Sequence, residues 1–254
     1  MSNTMHRKQT SAPTAAYSAR LVRLLATLEG RKAAPPAGSF AERLGRLFDL
    51  PDTIALDHAR QHYPAGPFAP QPDLARRLRE DADQLRDSQV ARIAEAFSDG
   101  GSAALRLPPP ETNAAGPSFK PYQRFYLGHQ RQQIASIQPL RLRLRQVLAG
   151  LGPEQAQLAA LDAVFDNALA GYGRRGFDAL PAVLERRFRA LWREHRERQP
   201  DALQQDPAAW LAPGAWLHRF CQEMRLMLLA ELETRLQPVQ GLLDALNQED
   251  HDPR

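Results

Sequence analysis

Apolar side chains recur at alternating spacings of three and four residues through most of residues 119–246, and this period constrains the fold more than any other feature. Because 3.6 residues make one helical turn, such spacing places these side chains on one face of an α-helix. The pattern runs through three long segments, at about 119–151, 153–195 and 213–246. In the last it comprises Leu217, Cys221, Met224, Leu228, Leu232, Arg235, Val239, Leu242 and Leu246. Amphipathic helices of this length predict a bundle.

Prolines and glycines predict where these helices bend. Pro139, Pro181 and Pro238 lie within apolar stripes, and each removes a backbone hydrogen bond, so each should bend or split its helix. The three glycines of GYGRRG, at 171–176, are expected to interrupt the second segment and form a hinge. The Leu-Arg alternation over 140–145 also fits a strand, but its helical flanks favour a helix.

The predicted fold class is all-α: a bundle of long, proline-kinked helices with a smaller N-terminal helical region. The stretch before the bundle holds four prolines and three glycines in twenty residues, which leaves little to bury and indicates a flexible linker. Both chain ends are polar and are expected to be disordered. The predicted leader, N-terminal helical region, linker, main helical bundle and tail are 1–17, 18–98, 99–118, 119–246 and 247–254, respectively.

The long predicted helix at 73–98 needs a partner for its apolar stripe. The stripe holds Leu74, Leu78, Leu85, Ile93 and Phe97. An exposed stripe of this size would be adhesive, so the helix either folds back on the main bundle or packs against another chain. A linker of twenty residues gives the two parts a high effective concentration, and we therefore favour folding back.

Composition excludes several classes of protein. No apolar run approaches the ~20 residues that cross a bilayer, so the chain is not expected to span a membrane. Residues 1–16 hold a basic cluster without an apolar stretch behind it, unlike a secretory signal. The single cysteine, Cys221, forbids an intramolecular disulfide and fits a reducing compartment. Together these features predict a cytoplasmic protein.

Arginine supplies almost all the positive charge and marks a candidate surface for a nucleic acid or a protein partner. Residues 119–199 hold fourteen basic and seven acidic side chains, whereas 200–254 hold four and nine. The alternative is a solvated helix face in an arginine-rich chain, partly neutralised by glutamates nearby on the same helix. The candidate residues are Arg141, Arg143, Arg145, Arg186, Arg187, Arg189, Trp192, Arg193 and Arg196.

Three further groups have both a chemical and a structural interpretation. His58 and His62, four residues apart, could reach one metal ion, but no second cluster of ligands is nearby, which favours ordinary surface histidines. Cys221 with His218 could form a nucleophile and base, yet Cys221 lies on an apolar stripe, where thiols are inert. The aromatic residues of 119–126 could stack on bases, but their spacing favours core packing. We therefore predict no catalytic, cofactor-binding or metal-binding residues.

Several stretches carry a family resemblance. They are FKPYQRFYLGHQRQQIAS at 119–136, LAALDAVFDN at 158–167, LPAVLERRFR at 180–189 and LHRFCQEMRLMLLAELETRLQPVQGLLDAL at 217–246. These resemble a proteobacterial family whose function is unknown, of the DUF3348 type. The resemblance supplies no catalytic residues. It implies genes beside membrane components that look like a proton-driven stator and a peptidoglycan-binding outer-membrane-protein-A-like partner.

Two functions of different classes follow. The first is a non-enzymatic, cytoplasmic interaction or accessory protein of a bacterial envelope complex, as the resemblance and the lack of a catalytic motif suggest. The second is a nucleic-acid-binding protein that uses the arginine-rich helices of 119–199.

Overall fold

A computed structural model describes most of the chain and assigns more than half of its residues to α-helix, as the sequence predicts. The described residues are 13–30, 48–61, 66–69, 72–98, 104–113, 116–199, 201–204 and 206–247. Their helices are α1 (Pro13–Leu28), α2 (Leu50–Gln61), α3 (Pro72–Ala96), α4 (Lys120–Leu151), α5 (Pro153–Asp178), α6 (Leu180–Arg198) and α7 (Trp216–Asn247). Short 3₁₀ turns at Ala202–Gln204 and Pro207–Leu211 join α6 to α7.

Helix α7 forms the centre of the bundle. It contacts α1, α3, α4, α5 and α6. A helix with neighbours on so many sides must be apolar on more than one face. Its fully buried side chains include Leu217, Phe220, Met224, Met227, Leu228 and Leu232. The all-α bundle predicted from the sequence is therefore confirmed.

Helices α4 and α7 run parallel. Near their starts, the rings of Phe119 and Phe220 lie 6.1 Å apart. Further along both helices, the side-chain amide of Gln130 donates a hydrogen bond to the carboxylate of Glu231. Parallel neighbours in a bundle require a connection that returns along its length. Helices α5 and α6 supply that return.

Helix α3 folds back onto the bundle, which confirms the alternative favoured from the sequence. It packs on α4 and α7, and it runs antiparallel to α4. The ring of Phe97 meets that of Phe125 at 5.3 Å, and at the other end Arg143 contacts Asp81 at 2.8 Å. In its stripe, Leu78 and Ile93 have almost no exposed surface, and Leu74, Leu85 and Phe97 are partly buried against the same core.

Part of the predicted flexible linker packs on the bundle. The amide of Leu107 donates to the carbonyl of Ala96 at 2.9 Å. Leu105 lies so close to Gly128 on α4 that a Cβ atom there would come within 2.9 Å of its side chain. A two-residue hairpin, Thr112–Asn113 (β1) with Gly116–Pro117 (β2), then leads into α4. The proline and glycine content predicted a flexible linker, but Leu105 and Leu107 within this stretch pack against the core.

Pro181, rather than the glycines, divides the second helical segment. The prediction that GYGRRG interrupts it is wrong, because α5 continues through all three glycines to Asp178. A helical hydrogen bond needs no side chain, whereas a proline lacks the amide that would bond to the carbonyl four residues earlier. The chain leaves the helix at Ala179, and Pro181 lies in the first turn of α6. Pro139 and Pro238 lie inside continuous helices.

Several predictions near the chain ends lie partly outside the described residues. Of the predicted leader, 13–17 form the start of α1, and 1–12 are outside the described range. The predicted end of the first helix at Gly30 is confirmed, since this residue has a φ of 64° directly after α1. The predicted tail lies outside the described range beyond Asn247.

Replacing Gly173 with alanine should stabilise the protein. Gly173 lies within α5, its added Cβ would meet no atom within 4 Å, and glycine in a helix costs about 0.5–1 kcal/mol relative to alanine. Thermal unfolding should shift upwards by about 2 °C. The matched control is Gly30→Ala, which places a Cβ at positive φ and should destabilise by about 1 kcal/mol. Equal shifts in both variants would contradict the assignment of Gly173 to a helix interior.

Candidate interaction surface

Helix α6 separates its apolar and charged residues onto opposite faces. Leu184, Phe188 and Leu191 follow one another at four and three residues, and each exposes 2% of its surface or less. This inner face packs against α7, where the ring of Phe188 meets that of Phe220 at 5.1 Å. Burial of one face fixes the direction in which the opposite face points.

The outer face of α6 carries four exposed arginines, which we call the arginine stripe. They occur at spacings of three and four residues and extend for about 15 Å along the helix, given its rise per residue. The stripe consists of Arg186, Arg189, Arg193 and Arg196. A row of guanidinium groups at this spacing matches a row of carboxylates or phosphates.

The stripe is only partly neutralised by its surroundings. Arg186 contacts Glu29, at the end of α1, at 2.6 Å, and Arg189 contacts Glu185 on its own helix at 2.6 Å. Both arginine side chains remain well exposed, at 63% and 75%, and exposed ion pairs contribute little to stability. Within the described part of the chain, Arg193 and Arg196 form no ion pair. The stripe can therefore exchange its internal partners for external ones.

Two other predicted surface arginines instead hold α4 to α5. Arg141 donates from Nε and Nη2 to the two carboxylate oxygens of Asp162, at 3.0 and 2.7 Å, and also contacts Asp166. Arg145 contacts Asp162 at 2.6 Å and Asp166 at 2.8 Å. These side chains expose between 12% and 24% of their surface. Their charges are matched one to one inside the fold.

The remaining predicted residues also have internal contacts. Arg143 pairs with Asp81 of α3, and both side chains are exposed. Arg187 donates two hydrogen bonds to Glu223 of α7, at 2.7 and 2.6 Å, largely out of solvent. Trp192 turns away from the stripe. The structure thus gathers four of the nine predicted residues on one surface and assigns the others to packing between helices.

The most buried charge in the described part of the protein is Glu231, which sequence reasoning missed. Its carboxylate has no exposed surface and accepts hydrogen bonds from the hydroxyl of Tyr126 at 2.7 Å and the amide of Gln130 at 3.0 Å. Arg235, one turn later, donates to it from Nε and Nη2 at 2.8 and 2.6 Å. The sequence feature that could have identified this residue is a glutamate inside an apolar run, four residues before an arginine. We call these four residues the Glu231 network.

The Glu231 network also reaches the corner between α5 and α6. The amide nitrogen of Gln130 donates to the carbonyl of Phe177 at 3.1 Å, and the guanidinium of Arg235 lies 3.8 Å from the centre of the Phe177 ring. In an uninterrupted helix, the carbonyl of Phe177 would accept a hydrogen bond from a backbone amide at position 181, which proline lacks. Three helices thus meet around one carboxylate.

Cys221 is poorly suited to act as a nucleophile, and a second buried group, His129, is poorly suited to act as a base. Burial raises the pKa of the Cys221 thiol to about 12, so the thiolate is scarce at neutral pH. The imidazole of His129 lies against the ring of Phe125, one turn earlier on α4, and burial lowers its pKa to about 4. The side chain of His218 lies beside the start of its own helix, at 3.4 Å from the amide of Gly214.

The structure describes one of the two histidines of the metal alternative and all the aromatic residues of the base-stacking alternative. In the part of the chain that the structure describes, no three His, Cys, Asp or Glu side chains come together to hold a metal ion. His58 is exposed, and His62 lies outside the described residues. The aromatic residues of 119–126 are buried, which confirms core packing.

The comparison with known protein families identifies the chain at the level of family. A family model described as "Protein of unknown function (DUF3348)" matches residues 7–248. The chain belongs to this family. The resemblance to a DUF3348-type family of unknown function is therefore confirmed. No curated protein and no solved structure matches the chain. Among the described helices, none is both long enough and apolar enough to cross a membrane.

Replacing Glu231 with alanine should destabilise the protein by about 3–5 kcal/mol. The change leaves the guanidinium of Arg235 with no carboxylate in a largely buried position, which costs much more than the net value of the pair. The matched control is Glu233→Ala on the same helix, where the lost partner, Arg20, is half exposed, and the expected cost is about 1 kcal/mol or less. Urea unfolding measures both, and equal losses would contradict the role of the network.

Acid should destabilise the protein through His129. Because the folded-state pKa, about 4, is below the ordinary value of 6.5, the unfolded chain binds this proton first as the pH falls. The contribution of His129 to the free energy of unfolding is fully present above pH 6.5, and about 3 kcal/mol is lost as the pH falls towards 4. His129→Leu should remove this part of the loss, measured by urea unfolding at several pH values. An equal acid dependence in the wild type and the variant would contradict it.

Proposed function

We propose that this protein is a non-enzymatic accessory protein that acts in the bacterial cytoplasm by binding another protein. The observation that carries the proposal is the arginine stripe on the outer face of α6, a row of four exposed cations on a helix whose other face is fixed by the core. The proposed partner is a component of an envelope complex of the stator-like type. That part rests on the family resemblance.

The surroundings of the stripe favour a protein partner with acidic side chains over a nucleic acid. Glu185, Glu194 and Glu197 lie on the same helix among its arginines. Such mixed charge weakens the uniform positive field that attracts a phosphate backbone, but it suits a protein surface with complementary charges. The contact between Arg186 and Glu29 is an internal example of the same recognition, since it joins α6 to a carboxylate in the turn that follows α1.

The state of the reactive side chains supports a non-enzymatic role. The thiol of Cys221 and the imidazole of His129 are both buried, and their shifted pKa values keep both neutral at physiological pH. Glu231 is saturated by donors from Tyr126, Gln130 and Arg235. Each of these groups serves packing or pairing between helices.

The alternative function is nucleic-acid binding through the same stripe. Four phosphate contacts would make the logarithm of the affinity fall with the logarithm of salt concentration with a slope of about −3 to −4. Most of the other arginines predicted for this interface are occupied inside the fold, which limits the number of contacts.

Neutralising the stripe should abolish partner binding without unfolding the protein. The variant replaces Arg186, Arg189, Arg193 and Arg196 with glutamine. The matched control replaces four exposed arginines of α3 with glutamine, namely Arg76, Arg77, Arg86 and Arg92. We expect proteins crosslinked to the tagged full chain at native expression, and identified by mass spectrometry, to include a membrane-complex component. The wild type and the α3 control should retain it, and the stripe variant should lose it.

Two results would contradict the proposal. One is retention of the same partner by the stripe variant, since the stripe would then not be the binding surface. The other is tight binding of the wild type to a nonspecific oligonucleotide at low salt, with an affinity that falls with salt concentration at the predicted slope. In this case the α3 control should also bind the oligonucleotide, and only the stripe variant should not. That result would establish the nucleic-acid alternative. Circular dichroism of each variant verifies that the bundle is intact.

A further inference from the structure

The last two turns of α5, residues 171–178, hold three glycines that close packing does not explain. Gly171, Gly173 and Gly176 lie within the helix, and no described atom comes within 4 Å of a Cβ added at any of them. A glycine favours the unfolded backbone over the helix by about two- to fivefold relative to alanine. Together the three glycines therefore weaken this part of the helix by about tenfold or more.

The same end of α5 has few contacts with the bundle. Of the 26 residues of α5, all of them described, only Ala156 and Ala159 are buried, and both lie near its start. Residues 172–176 are exposed. The guanidinium of Arg175 lies 4.5 Å from the centre of the Tyr172 ring, a contact within the stretch itself. A helix end with so few buried contacts is among the parts of a protein that open most readily.

Phe177 attaches this stretch to the core. The guanidinium of Arg235 lies 3.8 Å from the centre of its ring, and its carbonyl accepts a hydrogen bond from the side-chain amide of Gln130 at 3.1 Å. Both of these groups also donate to the buried carboxylate of Glu231. Phe177 therefore covers the Glu231 network on the side from which α5 approaches.

The stretch lies between two points that are firmly held. Before it, Arg141 and Arg145 of α4 hold α5 through two aspartates. After it, Leu180 at the start of α6 exposes 2% of its surface. An extended residue spans about twice the rise of a helical one, so unwinding lengthens the connection between these points. Residues 171–178 can therefore leave the core while both ends stay in place.

We propose that residues 171–178 form a latch over the Glu231 network, which opens while the other helices stay folded. Opening unwinds the end of α5, moves Phe177 away from the core and gives water access to Gln130 and Arg235. The buried carboxylate thus has a route to solvent that leaves α4 and α7 intact. The latch is independent of the arginine stripe and of the partner proposed for it.

Hydrogen exchange of the full-length native protein, followed by mass spectrometry, measures this opening. Exchange rates are compared with those of the unfolded chain. The amides of 171–178 should be protected by at least about tenfold, because the latch is mostly closed. They should nevertheless exchange at least about 100-fold faster than those of 220–232 in α7, because a local opening requires less free energy than global unfolding.

Glycine variants test whether the opening is local. Replacing Gly171, Gly173 and Gly176 together with alanine should slow the exchange of 171–178 by about tenfold or more. The matched control is Gly241→Ala, an exposed position inside α7 where an added Cβ also meets no described atom within 4 Å. Both changes should raise the midpoint of urea unfolding. Only the first should slow the exchange of 171–178, since α7 stays folded when the latch opens.

A second pair of variants tests Phe177 itself. Phe177→Leu removes the ring that faces Arg235, and it should accelerate the exchange of 171–178 by about fivefold. The matched control is Phe165→Leu, the same change on the same helix outside the latch, where the ring meets that of Phe48 at 5.5 Å. It should lower the midpoint of urea unfolding and leave the exchange of 171–178 unchanged.

Three results would overturn the proposal. The first is protection of 171–178 equal to that of α7, or no protection at all, since the stretch would then open only with the whole protein or never close. The second is slowing of its exchange by Gly241→Ala in proportion to the gain in global stability. The third is equal acceleration by Phe177→Leu and Phe165→Leu, or none by Phe177→Leu, because Phe177 would then not hold the stretch closed.

Discussion

The carboxylate of Glu231 is the constraint on which the arrangement of the helices depends. A charge with no access to water must be matched by donors at defined positions, and here they come from Tyr126 and Gln130 on α4 and from Arg235 on α7. Apolar contacts alone would allow α4 to slide along α7 with little change in buried area. The network therefore favours the observed register of α4 against α7.

Charge pairing organises the outer layers as well. Arg141 and Arg145 attach α5 through two aspartates, and Arg187 attaches α6 through Glu223. These pairs involve different helices, and they use the arginines that lie nearest the core. The arginine stripe comprises the cations that face away from it. Arginine therefore both joins the helices and forms the exposed stripe that we propose as a binding surface.

The period of the apolar residues was enough to predict the long helices and the bundle, because burial follows spacing directly, whereas the return of α3 was favoured because its linker is short. It was not enough to place Glu231, since a glutamate in an apolar run has no partner in the sequence beyond Arg235, and Tyr126 and Gln130 are about a hundred residues away. For the same reason, the sequence did not show which arginines of the predicted surface pair inside the fold. Asp162 and Glu223 capture their arginines through tertiary contacts, which spacing within one helix does not reveal.

The corner at Pro181 has a consequence for the shape of the molecule. If an amide occupied this position, α5 and α6 could join into one rod of about 70 Å, given the rise of a helix. A continuous helix would also hold the faces of α5 and α6 in one fixed rotational relation, set by 3.6 residues per turn. Because Pro181 cannot donate a hydrogen bond, the carbonyl of Phe177 accepts one from Gln130. The break between the helices lets α6 turn Leu184 and Phe188 towards the core and its arginine stripe outwards.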